Sequence, residues 1–323
     1  MAHAYAYRGN ERFIAAMAQR LEEAGYQRTE EVAAADILLS FCTSHSQLEE
    51  LYFGDAGFIQ DARPGSVLID VSSCTPNLAR EMNAVATVSD LVMVEAPFTL
   101  HDLTAVDGFA KQNLLCFVAS ESEGTAVDEV ALPFCEALFG DCERSGAPGS
   151  AQLLRAAHTL QATSQMIAVI EADALCSAMR RSVNGAGLEK LRLQADSAEA
   201  TRVLRAVHEQ RFEGAYTVEM LMAALSSAIM AADDSELILP QAEAALHLLE
   251  LLAVIGGSDK APAALALVYG DEEACAAQGL DWTRAEQVYG EDRDHDHDGF
   301  GDHDEDDLGY GDDDGFGYDY SSN

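Results

Sequence analysis

A spacing of acidic residues near the C-terminus is the arrangement that a calcium-binding loop uses. The segment from 294 to 305 follows the pattern D-x-D-x-D-G-x5-E, in which the candidate ligands are Asp294, Asp296, Asp298 and Glu305. Carboxylate oxygens at alternate positions, closed by a glutamate, can surround Ca²⁺. The eighth position of such a loop prefers an apolar residue, and here it is Gly301. Because an Asp-rich segment produces this spacing easily, a solubilising acidic tail is the favoured alternative to a calcium site.

The whole segment 286–323 has the composition of a disordered tail. It combines Asp and Glu with Gly, Tyr and Phe, and Arg293 is its only basic residue. Such a composition buries too little apolar surface to offset its ordering entropy. His295, His297 and His303 add loose affinity for transition metals. One hypothesis is therefore a carrier or sensor whose working part is this acidic tail, with a protein partner for the tail.

The charge and cysteine content limit the classes of partner and compartment. The formal net charge is −37, from 56 acidic and 19 basic residues, so phosphates of nucleic acids and anionic lipids are repelled. No stretch approaches the roughly 20 apolar residues of a membrane helix, and the N-terminus lacks a signal-peptide pattern. The 7 cysteines are odd in number and lack CxxC spacing, which is typical of reduced thiols. We expect a cytoplasmic protein that binds neither nucleic acid nor membrane.

The order of apolar segments predicts an α/β domain followed by an all-α domain. Short apolar runs of β character lie at 37–41, 67–71, 91–94 and 114–118, with helix-like segments between them. Strands that alternate with helices indicate a parallel sheet. Residues 150–181 are rich in Ala and contain neither Pro nor Gly, which predicts one long helix. We therefore predict a Rossmann-like domain over 1–149, an all-α domain over 150–285 and a tail over 286–323.

Several motifs in this layout resemble the β-hydroxyacid dehydrogenases, such as 3-hydroxyisobutyrate dehydrogenase, with their 6-phosphogluconate dehydrogenase-type NAD(P)-binding fold. The matching segments are MAQRLEEAGY (17–26), ADILLSF (35–41), PGSVLIDVSSCTP (64–76), Ala96-Pro97 and GGSDKAPAAL (256–265). The resemblance covers roughly residues 5–282. It implies a truncated Rossmann-like domain joined by a long interdomain helix to an all-α domain that forms a homodimer.

The dinucleotide loop that the resemblance implies keeps one of its three glycines. The family's G-x-G-x-x-G positions fall on Gly9, Glu11 and Ile14. The first glycine permits a tight turn, the second lets pyrophosphate approach the backbone, and the third lets the helix pack close to the strand. Glu11 brings a carboxylate to the place of a dianionic pyrophosphate, and Ile14 would hold helix and strand apart. Gly9 is therefore the remnant of a cofactor site.

The second strand of the dinucleotide fold has little room. Gly25 and Asp36 are 11 positions apart, too few for the second strand and its helix. That strand normally ends in the residue that contacts the adenosine ribose. Arg28 and Thr29 resemble the turn that follows it in the family. We expect the adenosine half-site to be absent, and NAD(P), the cofactor that the resemblance implies, to bind weakly or not at all.

The resemblance implies a substrate site at Ser72 and in the loop after Ala96-Pro97. Where the family has glycine amides that hold a carboxylate, this loop has Thr99 and His101. The alternative for Ser72 is a hydroxyl that caps the helix expected to begin near Cys74. A small-molecule carboxylate is the ligand that the resemblance implies.

The catalytic lysine of the family, on the interdomain helix, corresponds to Arg155. An arginine keeps its proton at physiological pH, so Arg155 cannot act as the acid–base group, although it could hold a carboxylate. His158 and Thr159 follow at i+3 and i+4, which predicts that all three face one cleft. His158 could then transfer the proton. The alternative is an Arg–His pair in an ordinary polar interface.

Two further functions remain open beside the carrier or sensor. The glycine loop, the ribose strand, the catalytic lysine and a second family lysine, whose position is Ala223, all depart from the family pattern. These departures favour a non-catalytic descendant that serves as a binding or scaffold protein. The alternative is an NAD(P)-dependent oxidoreductase acting on a small hydroxy acid or related carbonyl compound, with Arg155 and His158 in unusual roles.

Overall fold

The computed structural model describes residues 3–121, 124, 126–182 and 187–290. Met1–Ala285 form one compact unit and Glu286–Asn323 a second. Most of the predicted acidic tail, including the candidate calcium ligands Asp294, Asp296, Asp298 and Glu305, lies outside the described residues.

The first half of the larger unit is built on a mostly parallel sheet. Its strands are β1 (Ala4–Gly9), β2 (Gln27–Arg28), β3 (Ile37–Phe41), β4 (Val67–Asp70), β5 (Val92–Glu95), β6 (Phe98–Leu100), β7 (Leu114–Ala119) and β8 (Asp141–Gly146). The order is β2-β1-β3-β4-β5-β7-β6, with β8 beside β7. The pairs from β2 to β5 are parallel, as are β7 and β8, whereas β7 runs antiparallel to β5 and β6.

Helices cover both faces of this sheet. They are α1 (Glu11–Glu23), α2 (His45–Phe53), α3 (Phe58–Asp61), α4 (Pro76–Val88) and α5 (Leu132–Leu138), the last preceded by a π-helical stretch, Ala126–Ala131. Alternate residues of β3 enter opposite cores: Ile37 and Leu39 pack in one cluster and Leu38 in the other. Because both faces are covered, the central strands consist of continuous apolar runs.

The second half is helical and begins where the sequence predicts. Its helices are α6 (Ser150–Arg181), α7 (Ala198–His208), α8 (Val218–Asp233), α9 (Pro240–Leu252), α10 (Glu272–Ala277) and α11 (Thr283–Gly290). A π-helical stretch (Ala253–Gly257) and a 3₁₀ helix (Pro262–Tyr269) follow α9. The predicted class, a truncated Rossmann-like sheet followed by a helical region, is confirmed.

Helix α7 begins at Ala198, because Ser197 caps it by accepting a hydrogen bond from the amide of Ala200 at 3.0 Å. None of the described helices alone is long and apolar enough to cross a membrane. By length and composition only, the pair Pro240–Gly257 and Pro262–Tyr269, bent by 86°, passes the same criterion.

The second strand of the dinucleotide fold is reduced rather than lost. β2 has two residues, and it pairs only with the start of β1, through Ala4 with Gln27 and Tyr5 with Arg28. A 3₁₀ turn, Val32–Ala34, stands in place of the following helix. The expectation that no room remained for this strand is therefore corrected, since a two-residue bridge fits into the short connection.

Candidate functional site

A cleft lies where the carboxyl ends of β1 and β3 face helix α8. It contains two cavities of about 300 and 450 Å³ whose walls share Thr43 and Glu219. Ligands of open α/β sheets bind outside the carboxyl ends of the strands, so this is the expected position of a ligand site. The smaller cavity is lined by Thr43, Ser44, His45, Ser73, Glu219, Met222, Ala223, Ser226, Ser227, Met230, Leu246 and Glu250.

The loop after β1 is fixed against the end of β3. Gly9 has a φ of +128°, and a Cβ atom there would come within 2.1 Å of the carbonyl oxygen of Phe41. The amide of Asn10 donates to the same oxygen at 2.8 Å. A side chain at position 9 is excluded by protein backbone alone, so this glycine is required whether or not a ligand binds.

The N-terminus of α1 is capped by the protein itself. Asn10 Oδ1 accepts hydrogen bonds from the amides of Arg12 at 3.0 Å and Phe13 at 3.3 Å. The amides at a helix N-terminus are the groups that bind phosphate in dinucleotide folds. Two of these donors are therefore already occupied by a side chain of this loop.

Aromatic side chains fill the space below the loop. The Phe13 ring is fully buried, and its centroid lies 4.8 Å from that of Phe41, 5.6 Å from that of Phe98 and 5.7 Å from that of Phe109. Ile14, at the third glycine position, is also buried in this core. The first turn of α1 thus contributes its side chains to protein packing.

A buried carboxylate ends β4. Asp70 Oδ1 accepts hydrogen bonds from Ser40 Oγ at 2.8 Å, from Ser72 Oγ at 2.6 Å and from the Ser72 amide at 3.2 Å. Burial raises the pKa of Asp70 to about 6, against the lowering effect of these hydrogen bonds. The cluster joins the ends of β3 and β4 beneath the cleft.

A second buried carboxylate ends β5, in register with Asp70. Glu95 Oε1 accepts hydrogen bonds from the amides of Gly149 at 2.6 Å and Ala151 at 3.3 Å, at the N-terminus of α6. Burial raises the pKa of Glu95 to about 7, opposed by these two hydrogen bonds. An acid at a helix N-terminus interacts favourably with the helix dipole when ionised, so Glu95 attaches the long helix to the sheet.

Gln152 makes a second connection between α6 and the strand ends. Its Oε1 accepts from the amide of Cys74 at 3.1 Å, and its Nε2 donates to the carbonyl oxygen of Ser72 at 3.0 Å. Gln152 is fully buried. The backbone between β4 and α4 is therefore fixed to the long helix by a side chain with both amide groups satisfied.

Arg155 lies one turn further along α6 and is fully buried. Its Nη1 donates to the carbonyl oxygen of Ala224 at 2.6 Å, and its Nη2 donates to Ser227 Oγ at 2.8 Å, both on α8. Its Nε has no hydrogen-bond partner among the described residues. Burial lowers the pKa of Arg155 to about 10, with the Cys74 and Tyr216 side chains acting in the opposite direction. The guanidinium group therefore stays protonated at neutral pH.

Residues 4–114 match the model of the NAD-binding domain of 6-phosphogluconate dehydrogenase. The chain is 25% identical over 240 residues to an NAD-dependent L-serine dehydrogenase of Pseudomonas aeruginosa, covering 71% of this chain and 77% of that protein. It is 29% identical over 140 residues to the uncharacterized oxidoreductase YkwC of Bacillus subtilis, covering 43% of this chain but only 46% of that protein. By these matches the chain resembles the β-hydroxyacid dehydrogenases, at the low identities of a divergent relative.

The fold is also similar to that of a solved dehydrogenase structure. The 3-hydroxyisobutyrate dehydrogenase of Mycobacterium tuberculosis, in a structure with L-serine, superimposes with a TM-score of 0.64 at 18% identity. The superposition covers 84% of this chain and 100% of that one. The superposition shows the fold, and the residues of this chain decide whether a dinucleotide fits it.

The residues present do not fit a dinucleotide in the family manner. Asn10 already binds two amides at the N-terminus of α1, and Glu11 adds a carboxylate to the first turn of this helix, where a dinucleotide fold binds phosphate. On the adenosine side, Arg28 Nε lies 3.4 Å from Glu30 Oε1, and Arg8 donates to the Glu30 carbonyl oxygen at 3.0 Å. Both cations near the short β2 are thus already engaged with the protein.

The predicted catalytic trio is divided by the structure. Arg155 and Thr159 are buried, but His158 is exposed, and its ring lies 5.2 Å from that of Phe117 on β7. The expectation that all three face one cleft is corrected, because α6 lies across β7 and His158 falls on the side of that strand. Arg155 donates a hydrogen bond to Ser227, which lines the cleft.

The predicted substrate residues also separate. Ser72 is committed to Asp70 and accepts from the Cys42 amide at 2.9 Å. Its alternative role as a helix cap is wrong, since Thr75 caps α4. Thr99 is buried in β6, and His101 Nε2 lies 3.0 Å from Asp141 Oδ2, with neither among the residues lining the cleft cavities.

Sequence reasoning missed several residues that build this region. Glu95, Gln152, Asn10 and Ser227 were not selected as site residues. The sequence signal for Glu95 is an acid at the end of an apolar strand, as in VMVE, and the same signal marks Asp70 in VLID. No group of three or more His, Cys, Asp or Glu side chains within the described part of the chain is placed to hold a metal ion.

Proposed function

We propose that this protein binds a small molecule in the cleft and does not catalyse hydride transfer. The observation that carries the proposal is the fully buried Arg155, which stands where the family has its catalytic lysine and is held by Ala224 and Ser227 of α8. Hydride transfer to or from a hydroxy acid needs a group that exchanges a proton with the hydroxyl oxygen. A guanidinium group with a pKa of about 10 stays protonated, and both Nη atoms of Arg155 are engaged by the protein.

The dinucleotide side supports the same conclusion. The loop after β1 uses Asn10 to cap α1 and Phe13 to fill the core, and β2 has only two residues. We propose that NAD(P) binds weakly or not at all. The two cavities are then available to a different ligand.

The cleft lining favours an uncharged or cationic polar ligand over the carboxylate that the resemblance implies. The smaller cavity offers the hydroxyls of Ser44, Ser73 and Ser226, whereas its acids are Glu219 and Glu250. Like charges repel a carboxylate at close range, and the net charge of −37 adds to this repulsion. A small polyol or amino alcohol matches these groups.

The decisive experiment is calorimetric titration of the full chain with NADH and with NADPH. We expect no saturable heat up to millimolar cofactor. Saturable binding at micromolar concentration would overturn the proposal. The paired variants Arg8→Ala and Arg28→Ala then locate any binding, since Arg8 lines the larger cavity and Arg28 does not.

A second titration tests the ligand class. Glycerol and 2-amino-1,3-propanediol are compared with 3-hydroxyisobutyrate by thermal shift, and we expect only the first two to raise the melting temperature. Glu219→Gln should weaken the effect of the amine and leave that of glycerol. A stabilising effect of 3-hydroxyisobutyrate alone would show that the cleft takes a carboxylate.

The second candidate is an NAD(P)-dependent oxidoreductase, and the match of residues 4–114 to an NAD-binding domain favours it. The tight turn at Gly9 and the Arg8 side chain at the larger cavity are compatible with that activity. If the titrations show cofactor binding, L-serine and 3-hydroxyisobutyrate are the first substrates to assay. Reduction of NAD(P)⁺ that is lost in Arg155→Ala but kept in His158→Ala would establish this function.

A further inference from the structure

Three cysteines that are far apart in sequence meet beside β7. Cys116 lies in β7, Cys142 in β8 and Cys135 in α5. Cys116 and Cys135 belong to one hydrophobic cluster and Cys142 packs against it, while the Cys116 thiol donates to the carbonyl oxygen of Ala96 at 3.3 Å. Cys116 and Cys135 are fully buried, whereas Cys142 is partly exposed at the edge of the cluster. The cluster plays no part in the cleft described above.

The strand register places Cys116 and Cys142 at a distance that a disulfide can span. The two residues are direct partners in the parallel pairing of β7 with β8. Neighbouring strands lie about 4.8 Å apart, and disulfides join Cα atoms about 4.4–6.8 Å apart. In-register residues also point to the same face of a sheet. A bond between these two sulfurs therefore needs little movement of the backbone.

The surroundings favour Cys142 as the reactive thiol. The neighbouring Cys116 side chain is the largest cause that lowers the pKa of Cys142, and the charge of Lys111 acts in the same direction. Burial and the carboxylates of Glu136 and Asp141 oppose this effect. Burial raises the pKa of Cys116 well above its usual range. Because the thiolate is the nucleophile, Cys142 is the group that attacks first.

We propose that Cys142 and Cys116 form a peroxide-sensitive thiol–disulfide site. The Cys142 thiolate attacks hydrogen peroxide, which oxidises its sulfur to a sulfenic acid and releases hydroxide. The Cys116 thiol then attacks that sulfur, so that the S–S bond forms and its proton leaves with the hydroxyl group as water. The peroxide is the two-electron oxidant, and an external thiol restores the two cysteines.

The test is oxidation of the full chain with hydrogen peroxide, followed by alkylation, digestion and mass spectrometry. We expect a Cys116–Cys142 disulfide peptide and the loss of two free thiols, both reversed by dithiothreitol. Cys142→Ser should abolish the disulfide, and Cys135→Ser should keep it. In Cys116→Ser, a dimedone adduct should accumulate on Cys142.

The matched control is Cys176, a second partly exposed cysteine that lies on α6, outside the cluster. In the unoxidised natural chain, iodoacetamide should modify Cys142 faster than Cys176. This comparison needs no variant, so it stands even if the change at buried Cys116 prevents folding. Equal rates at the two cysteines, or a disulfide from Cys142 to Cys135, would overturn the proposal.

Discussion

Two regions at the carboxyl edge of the sheet differ in what their polar groups contact: the ends of β4 and β5, and the end of β1. Beside β4 and β5, Asp70 and Glu95 bind a serine pair and the start of α6. Beside β1, the groups that would face a dinucleotide bind the protein instead, through Asn10 and the Phe13 ring. The polar groups beside β4 and β5 connect the sheet to α6, whereas the first turn of α1 is capped by Asn10 and packs its side chains into the core.

This difference separates two uses of one fold. A buried polar network fixes the relative positions of sheet and long helix, and such networks are costly to leave partly satisfied. A cofactor loop, in contrast, must leave backbone donors free for its ligand. Once a side chain such as Asn10 satisfies those donors, the folded protein no longer depends on the ligand.

The largest expected effect tests why Gly9 is present. In Gly9→Ala, the new Cβ overlaps the carbonyl oxygen of Phe41 at 2.1 Å, and the backbone has a φ of +128°. We expect the free energy of unfolding to fall by more than about 3 kcal/mol. Urea denaturation followed by circular dichroism measures it.

The control for this change is Gly65→Ala, where φ is +85° but a Cβ atom meets nothing within 4 Å. It should lower the free energy of unfolding by only about 1 kcal/mol. Equal losses in the two variants would mean that the close approach to β3 is not what requires Gly9. A role of Gly9 in binding a ligand, rather than in packing on β3, would then remain open for the loop after β1.

The next effect concerns the pH dependence that Glu95 confers. Its pKa is raised from 4.5 to about 7 in the folded protein, so the folded state holds the proton more tightly than the unfolded chain. This contribution to stability is complete below pH 4.5 and is lost as the pH rises through about 7. Glu95→Gln removes the titration but keeps an oxygen that can accept from the α6 amides.

The stability of Glu95→Gln relative to the natural chain should therefore rise between pH 4.5 and pH 8, by on the order of 3 kcal/mol. Urea denaturation at a series of pH values measures the difference. Glu81→Gln, at an exposed position on α4, should shift the free energy by less than about 0.5 kcal/mol at each pH. If the difference in the free energy of unfolding between Glu95→Gln and the natural chain does not change with pH, Glu95 is not responsible for this pH dependence.

Much of the fold could be predicted because its signals are local. The runs ILLSF and VLID are apolar since both sheet faces are covered, and the Ala-rich segment from Ser150 forms the long helix. β2 escaped prediction because its two residues, Gln27 and Arg28, are exposed and carry no apolar signal.

The site was less predictable because its contacts join distant parts of the chain. The sequence identified Arg155 as a substituted catalytic position, but its partner Ser227 lies 72 residues away. Helical spacing placed His158 near Arg155, yet only the packing of α6 on β7 decides which side of the helix faces the cleft. The helical repeat predicts which residues share a face of a helix, but it does not predict which element packs against that face.

A smaller effect tests the network at β4. Ser72→Ala removes a donor to Asp70 and leaves the buried amide of Cys42 without its acceptor. We expect a loss of about 1–2 kcal/mol in the free energy of unfolding. Ser73→Ala, at the adjacent residue that lines the cleft, should change it by less than about 0.5 kcal/mol. If the two variants lose equal stability, the hydrogen bonds of Ser72 to Asp70 and Cys42 do not distinguish it from a residue that only lines the cleft.

The smallest effect is expected at His158. Its exposed ring contacts Phe117, and His158→Ala loses this contact while it gains helix propensity, so the net loss should stay below about 0.5 kcal/mol. Gln161→Ala, at an exposed position one turn later, gains propensity without losing such a contact and should be neutral or slightly stabilising. The urea midpoint at unchanged m-value measures both. A loss above about 1.5 kcal/mol in His158→Ala would mean that the ring supports the Arg155 side of α6 after all.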